Sequence, residues 1–210
     1  MEFTAFVLAR EAAEQGEASA QLVLGLLYYQ GKGVPQDYAQ AVAWIRMAAL
    51  QGNAEAQATL GGVYEVGKGV QEDDAEAAAW YRKAAEQGNA GRVPIAVVQN
   101  HLGRLYATGK GVPQDDGEAA RWFRTAAERG NASAQLSLGA AYLYGVGVSQ
   151  DYCESYFWVR LASGGEASGA KPEEIGALLG VIASHLTPTA VSQAQERARE
   201  WLAAHGAKTQ

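Results

Sequence analysis

The chain has 210 residues, 48% of them hydrophobic and 19% charged, enough apolar material for one or two packed domains and against wholesale disorder. A formal net charge of −6 at neutral pH argues against a nucleic-acid binder or a binder of anionic membranes, since both need basic surface. The one cysteine, Cys153, excludes an intrachain disulfide.

The first sixteen residues lack the basic start, long apolar middle and small-residue cleavage site of a signal peptide. The longest apolar run, Ile175 to Ala183, falls far short of the ~20 residues of a transmembrane helix. No membrane insertion is expected. The sequence as given reads as cytoplasmic, or periplasmic if an upstream segment is missing.

Residues 1–17 read as a lone second helix closed by Gly16, with Leu8 where later units carry tryptophan. From Ala18 the chain repeats itself. Leu24-Gly25 with Tyr28 returns as Leu60-Gly61 with Tyr64, Leu102-Gly103 with Tyr106, and Leu138-Gly139 with Tyr142, in steps of 36, 42 and 36 residues. Six extra residues near Gly91 to Ala96, including Pro94, account for the long step. The units are 18–53, 54–89, 90–131 and 132–166.

Each unit spells two helices. The first places leucine and tyrosine four apart on one face, with a glycine between them that permits close contact. It stops at a left-handed glycine such as Gly31. The turn reads GKGVPQD at Gly31–Asp37 and Gly109–Asp115, with looser copies at Gly67–Asp73 and Gly145–Asp151. Four copies argue against a single phosphate-gripping loop, and the aspartate already fills the helix start that a phosphate would need. The second helix is expected to begin at Asp37, Asp73, Asp115 or Asp151, with Gln40, Glu76, Glu118 or Glu154 reaching back in a capping box. Trp44, Trp80, Trp122 and Trp158 follow as core residues. Two places later Arg46, Arg82, Arg124 and Arg160 are expected to cover neighbouring carbonyls or acids.

This pattern, A..LG..Y..G.GV..D...A..W...AA..GN, resembles the Sel-one-like repeat (SLR) family of the tetratricopeptide superfamily. The resemblance implies an all-α fold, a right-handed α-α superhelix (solenoid) of TPR-like helix pairs. The fourth unit departs from it, ending ASGGEASG, and stacking beyond Gly165 is not implied. Residues 167–210 read as C-terminal capping helices: one opened by Pro172, and one opened by Thr187 and Pro188 with Leu186 and Val191 spaced as a hydrophobic staple. Val191, Ala194, Ala198 and Leu202 form the apolar stripe of the last helix.

Chemistry-bearing residues are sparse. His101, His185 and His205 have no orienting acid or cysteine nearby in sequence. Cys153 replaces Ala39, Ala75 and Gly117 of the other units, which suggests a small side chain packed near the turn. No spacing typical of metal ligands occurs. The chain is therefore expected to be no enzyme, with no cofactor and no metal.

Core positions recur because stacking demands them, so specificity belongs where units differ. In TPR-like stacks the first helices line the concave face. The positions two before and two, five and six after each LG leucine give the candidate partner-binding set. It comprises Leu22, Leu26, Tyr29 and Gln30; Glu65; Asn100, Arg104 and Thr108 beside His101; and Leu143 and Tyr144. For the leucines, packing between first helices is the competing reading. The expected function is a noncatalytic scaffold or adaptor that presents this groove to a protein or peptide, as the resemblance also implies. The alternative, suggested by disulfide-rich relatives, is a muropeptide- or β-lactam-binding protein or hydrolase of the envelope. The half unit at the start offers a route to self-association if it exposes Phe6 and Leu8.

Overall fold

The computed structural model describes residues 2–164 and 171–205. Among these residues the structure is entirely helical. In chain order the helices are α1 (Glu2–Glu14), α2 (Ala18–Gln30), α3 (Tyr38–Leu50), α4 (Ala54–Val66), α5 (Asp74–Glu86), α6 (Ile95–Thr108), α7 (Asp116–Glu128), α8 (Ala132–Tyr144), α9 (Tyr152–Ala162), α10 (Pro172–Ala183) and α11 (Pro188–His205). The irregular end of the fourth unit, Gly165 to Ala170, lies outside the described residues. The chain divides into two compact units: Met1–Val98 with Gly109–Pro113, and Gln99–Thr108 with Gln114–Gln210.

Within each helix pair a missing side chain sets the distance of approach. A Cβ built on Gly25 would stand 2.6 Å from Ile45 Cγ1 and 2.9 Å from the Ala41 carbonyl. At Gly61 it would stand 2.6 Å from the Tyr81 ring, at Gly103 2.7 Å from Phe123, and at Gly139 2.5 Å from Val159. Ile45, Tyr81, Phe123 and Val159 occupy the same place in successive second helices, so each glycine is a notch that receives one large side chain. In the first unit the core continues through Leu22, Val42, Ala48, Ala49, Ala56, Leu60, Val63 and Trp80. In the second it runs through Leu143, Tyr156, Val159, Ile175, Ile182 and Ala194.

The aspartates cap as expected. Asp37, Asp73, Asp115 and Asp151 accept the backbone N–H of Gln40, Glu76, Glu118 and Glu154 at 3.0, 3.0, 2.9 and 3.0 Å. The acids three residues on, however, do not complete a capping box. Glu76 and Glu154 accept from the indole N–H of Trp80 and Trp158, one turn further along, at 2.9 and 3.1 Å. Glu118 pairs with Arg121 instead, leaving the buried Trp122 N–H unpartnered. The arginines also depart from expectation: Arg46 and Arg124 hydrogen-bond the hydroxyls of Tyr64 and Tyr142, with guanidiniums 5.7 and 5.6 Å from those ring centroids. A second helix is thus tied to the first helix that follows it through an arginine–tyrosine pair.

The GKG loops have a structural role of their own. A Cβ on Gly69 would lie 2.4 Å from the Tyr38 carbonyl oxygen, one on Gly111 2.1 Å from the Asp74 carbonyl carbon, and one on Gly147 1.9 Å from the Asp116 carbonyl oxygen. Each loop therefore lies flat on the first residue of the preceding second helix, in a left-handed conformation at φ 81°, 67° and 69° respectively.

A buried glutamine recurs at Gln21, Gln57, Gln99 and Gln135. Gln57 donates to the Ala49 carbonyl at 3.2 Å and accepts from Gln87 at 2.7 Å; Gln21 makes the same pair of bonds with Ala13 and Gln51. Arg129 stands where Gln51 and Gln87 stand in their units, and the Gln99 Oε1 is buried without a partner.

At the start of the chain, Phe6 is only 8% exposed and packs edge-on against Tyr28, correcting the expectation that it lies open, whereas Phe3 and Leu8 are 68% and 62% exposed. In the second unit α11 returns onto α9. Arg197 sits 3.9 Å above the Phe157 ring and ion-pairs with Glu154, and Gln195 donates to the Tyr156 hydroxyl at 2.9 Å. The Thr187 hydroxyl accepts from the Ala190 N–H at 3.2 Å, and Leu186 and Val191 both pack on the core, as the staple requires.

Two stability comparisons follow by urea denaturation. Gly147→Ala should cost about 1–3 kcal/mol or more, because its Cβ collides with backbone and its φ is positive. Gly176→Ala and Gly180→Ala, exposed in α10 with no atom within 4 Å of the added Cβ, should each gain about 0.5–1 kcal/mol. Gln57→Leu should cost about 1–3 kcal/mol by orphaning the buried Ala49 carbonyl, and Gln99→Leu should stay within about 0.5 kcal/mol.

Candidate interaction surface

The candidate residues sort by how far around the first helix they stand. The position six after the LG leucine is exposed in every unit: Gln30, Val66, Thr108 and Tyr144. The position two before it points inward in three of the four, at Leu22, Ala58 and Asn100. Leu22 and Leu143, at 4% and 5% exposure, belong to the packing and leave the surface set, as does Asn100 at 8%.

In the first unit, Leu26 and Tyr29 pack half-buried against the core cluster that contains Leu22. Tyr29 meets Tyr38 edge-on at 5.0 Å, and the Lys68 ammonium stands 5.9 and 5.8 Å from the two ring centroids. Glu65, half-buried, accepts from the Tyr81 hydroxyl at 2.7 Å. In the second unit His101 is half-buried, and Arg104 and Thr108 are exposed. The Thr108 hydroxyl donates to the Arg104 carbonyl at 2.8 Å. Tyr144 is 71% exposed.

Tyr144 forms one wall of an apolar cleft of about 230 Å³ between α6, α7 and α8. Ala107, Phe123, Ser137, Ala140 and Val146 line the rest. Of these lining residues only Tyr144 belongs to the set expected from the sequence; Phe123, Ser137 and Val146 do not. A signal was available for Val146, because the other three loops carry Lys32, Lys68 and Lys110 at that position.

The chemistry-bearing residues remain apart. His185 stacks on Tyr152 at 4.4 Å and His205 on Trp201 at 4.1 Å. Among the described residues no three His, Cys, Asp or Glu side chains converge to hold a metal ion, and no helix is long and apolar enough to cross a membrane. Cys153 is exposed, so its side chain does not pack beneath the turn as expected; the Asp151 carboxylate bonds its backbone N–H at 2.8 Å and its thiol faces water. The Arg10 guanidinium donates to the Glu14 carboxylate at 2.7 Å, and this bond raises the already high pKa of the arginine further.

Helix pairs closed on glycine notches, with variable side chains on one edge of each first helix, define a repeat protein of the tetratricopeptide-like solenoid class. A family model described as the Sel1 repeat matches residues 18–53, 54–89, 96–131 and 132–163, and the chain belongs to the Sel1 repeat family. Two solved structures are similar. A protective antigen of uropathogenic Escherichia coli strains, displaying an SLR fold, is 34% identical over 97% of this chain, with a TM-score of 0.77. A Sel1 repeat protein from Oxalobacter formigenes is 36% identical over 87% of the chain, with a TM-score of 0.71. The alignments span 41% and 49% of those two proteins' lengths. No curated protein matches the chain. Sel1 repeat proteins are generally noncatalytic scaffolds that bind other proteins.

Thiol labelling checks the placement of Cys153. A maleimide should label one equivalent in the folded protein without prior denaturation, and Cys153→Ala should change stability by less than about 0.5 kcal/mol.

Proposed function

We propose that the chain is a noncatalytic interaction scaffold that presents the edges of its first helices to a peptide or protein partner. The carrying observation is the apolar cleft beside Tyr144. It lies on the first-helix edge where units differ, and a large exposed aromatic ring stands at its rim. Stacking consumes the recurrent side chains, while Gln30, Val66, Thr108 and Tyr144 face water and differ in every unit. A packed helical scaffold of this kind offers its surface at little ordering cost on binding. Family membership favours the same reading.

The test compares two baits in a native lysate: the chain itself, and Gln30→Arg, Thr108→Arg, Tyr144→Ser. All three positions are exposed, so the variant should melt within a degree or two of the parent. A partner held by the parent and depleted at least about tenfold on the variant, a loss near 1.4 kcal/mol, supports the reading. Equal recovery on both baits rejects the first-helix edge as the binding surface.

A further inference from the structure

The cleft beside Tyr144 has an internal precedent in the chain itself. A shift of 78 residues (36 plus 42) carries the first two units onto the third and fourth, and every residue lining the cleft has its counterpart there. Ala107 stands for Tyr29, Asp116 for Tyr38, and Val146 for Lys68. On the floor, Ala120 stands for Val42 and Ala141 for Val63. In the first unit this space is furnished from within. Tyr29 lies edge-on to Tyr38 at 5.0 Å, Lys68 stands over both rings, and Val42 and Val63 are buried beneath at 3% and 6% exposure.

In the second unit all five of these positions carry smaller residues, while the helix geometry is held by the same notch, Gly103 against Phe123. What remains is an opening lined almost wholly by carbon, walled by the Phe123 and Tyr144 rings. Apolar surface left facing water is unfavourable unless a partner covers it. Aromatic walls favour an aromatic guest through edge-to-face and offset contacts, beyond the area buried.

From these substitutions we infer that the cleft is a socket for one aromatic side chain of a partner protein, which takes the place that Tyr29 fills in the first unit. The inference rests on the scaffold reading and names the anchor its partner must carry. It also gives Tyr144 a defined role as the socket wall.

The probe is N-acetyl-4-fluorophenylalanine amide, followed by fluorine NMR, with amide shifts of the labelled full chain locating the site. N-acetyl-leucine amide is the aliphatic control. Saturable binding that moves the amides of Ala107, Ala140 and Tyr144, at least about fivefold tighter than the leucine probe, is the expected result. Two variants block the socket from different helices: Ala107→Tyr with Val146→Lys, which restores the first unit's own filling, and Ser137→Leu on α8. Each that folds should weaken the aromatic probe at least about tenfold, and the filled variant should melt no lower than the parent.

Equal binding of both probes would overturn the inference, as would aromatic binding unchanged in both blocked variants, or no binding at 20 mM (about 20 times a 1 mM dissociation constant). None of these failures would touch the scaffold reading, which stands or falls on the bait comparison.

Discussion

The structure depends on a contact made possible by an absence. Because Gly25, Gly61, Gly103 and Gly139 lack a Cβ, a side chain from the second helix can occupy the space beside each first helix. The occupant changes from Ile45 to Tyr81, Phe123 and Val159, yet the notch persists. Interiors are packed at nearly crystalline density, so a methyl group in that notch must push the helices apart or displace its occupant. With the pair spacing held, Gln21, Gln57 and Gln135 reach carbonyls of the second helix before them, and Arg46 and Arg124 reach the tyrosines of the first helix after them.

This division between shared and free positions explains how one architecture keeps its stacking while its outer edge varies from unit to unit. Residues that set spacing cannot vary much without loss of stacking, whereas residues at the outer edge of the first helices can. Glycine notches therefore hold the frame while volume is removed around it. Two alanines where the first unit has valines, and one where it has tyrosine, open a cleft without altering the helix pairing.

Much of this was legible in the sequence because the governing interactions are local or periodic. Asp37 and its counterparts cap because the N–H groups they satisfy lie within three residues, which fixed spacing reveals. The same locality misled for the acids one turn on. Glu76 has two partners within reach, the backbone N–H behind it and the Trp80 indole ahead, and spacing does not rank them. Leu22 and Leu143 fail as surface residues because helix rotation decides which neighbours turn inward. The glutamines at 21, 57, 99 and 135 were readable as a period but hidden by their polar type, which suggests a surface until a buried carbonyl is seen beside them. The Arg197 contact over Phe157 was not readable at all: α11 stands outside the repeat, so no period relates it to α9.

The flat seating of the GKG loops means that the repeating unit of the sequence is not the unit of cooperative structure. The loop at Gly67–Asp73 rests on the first residue of α3, which belongs to the preceding repeat, and the loop at Gly145–Asp151 rests on that of α7 in the same way. A chain cut at the boundary between Asn53 and Ala54 would keep every residue of a repeat yet remove the floor beneath its loop and strip the roof from the Tyr38 carbonyl. Domain dissection of this protein should therefore respect overlapping blocks, each consisting of one second helix together with the first helix and loop that follow it.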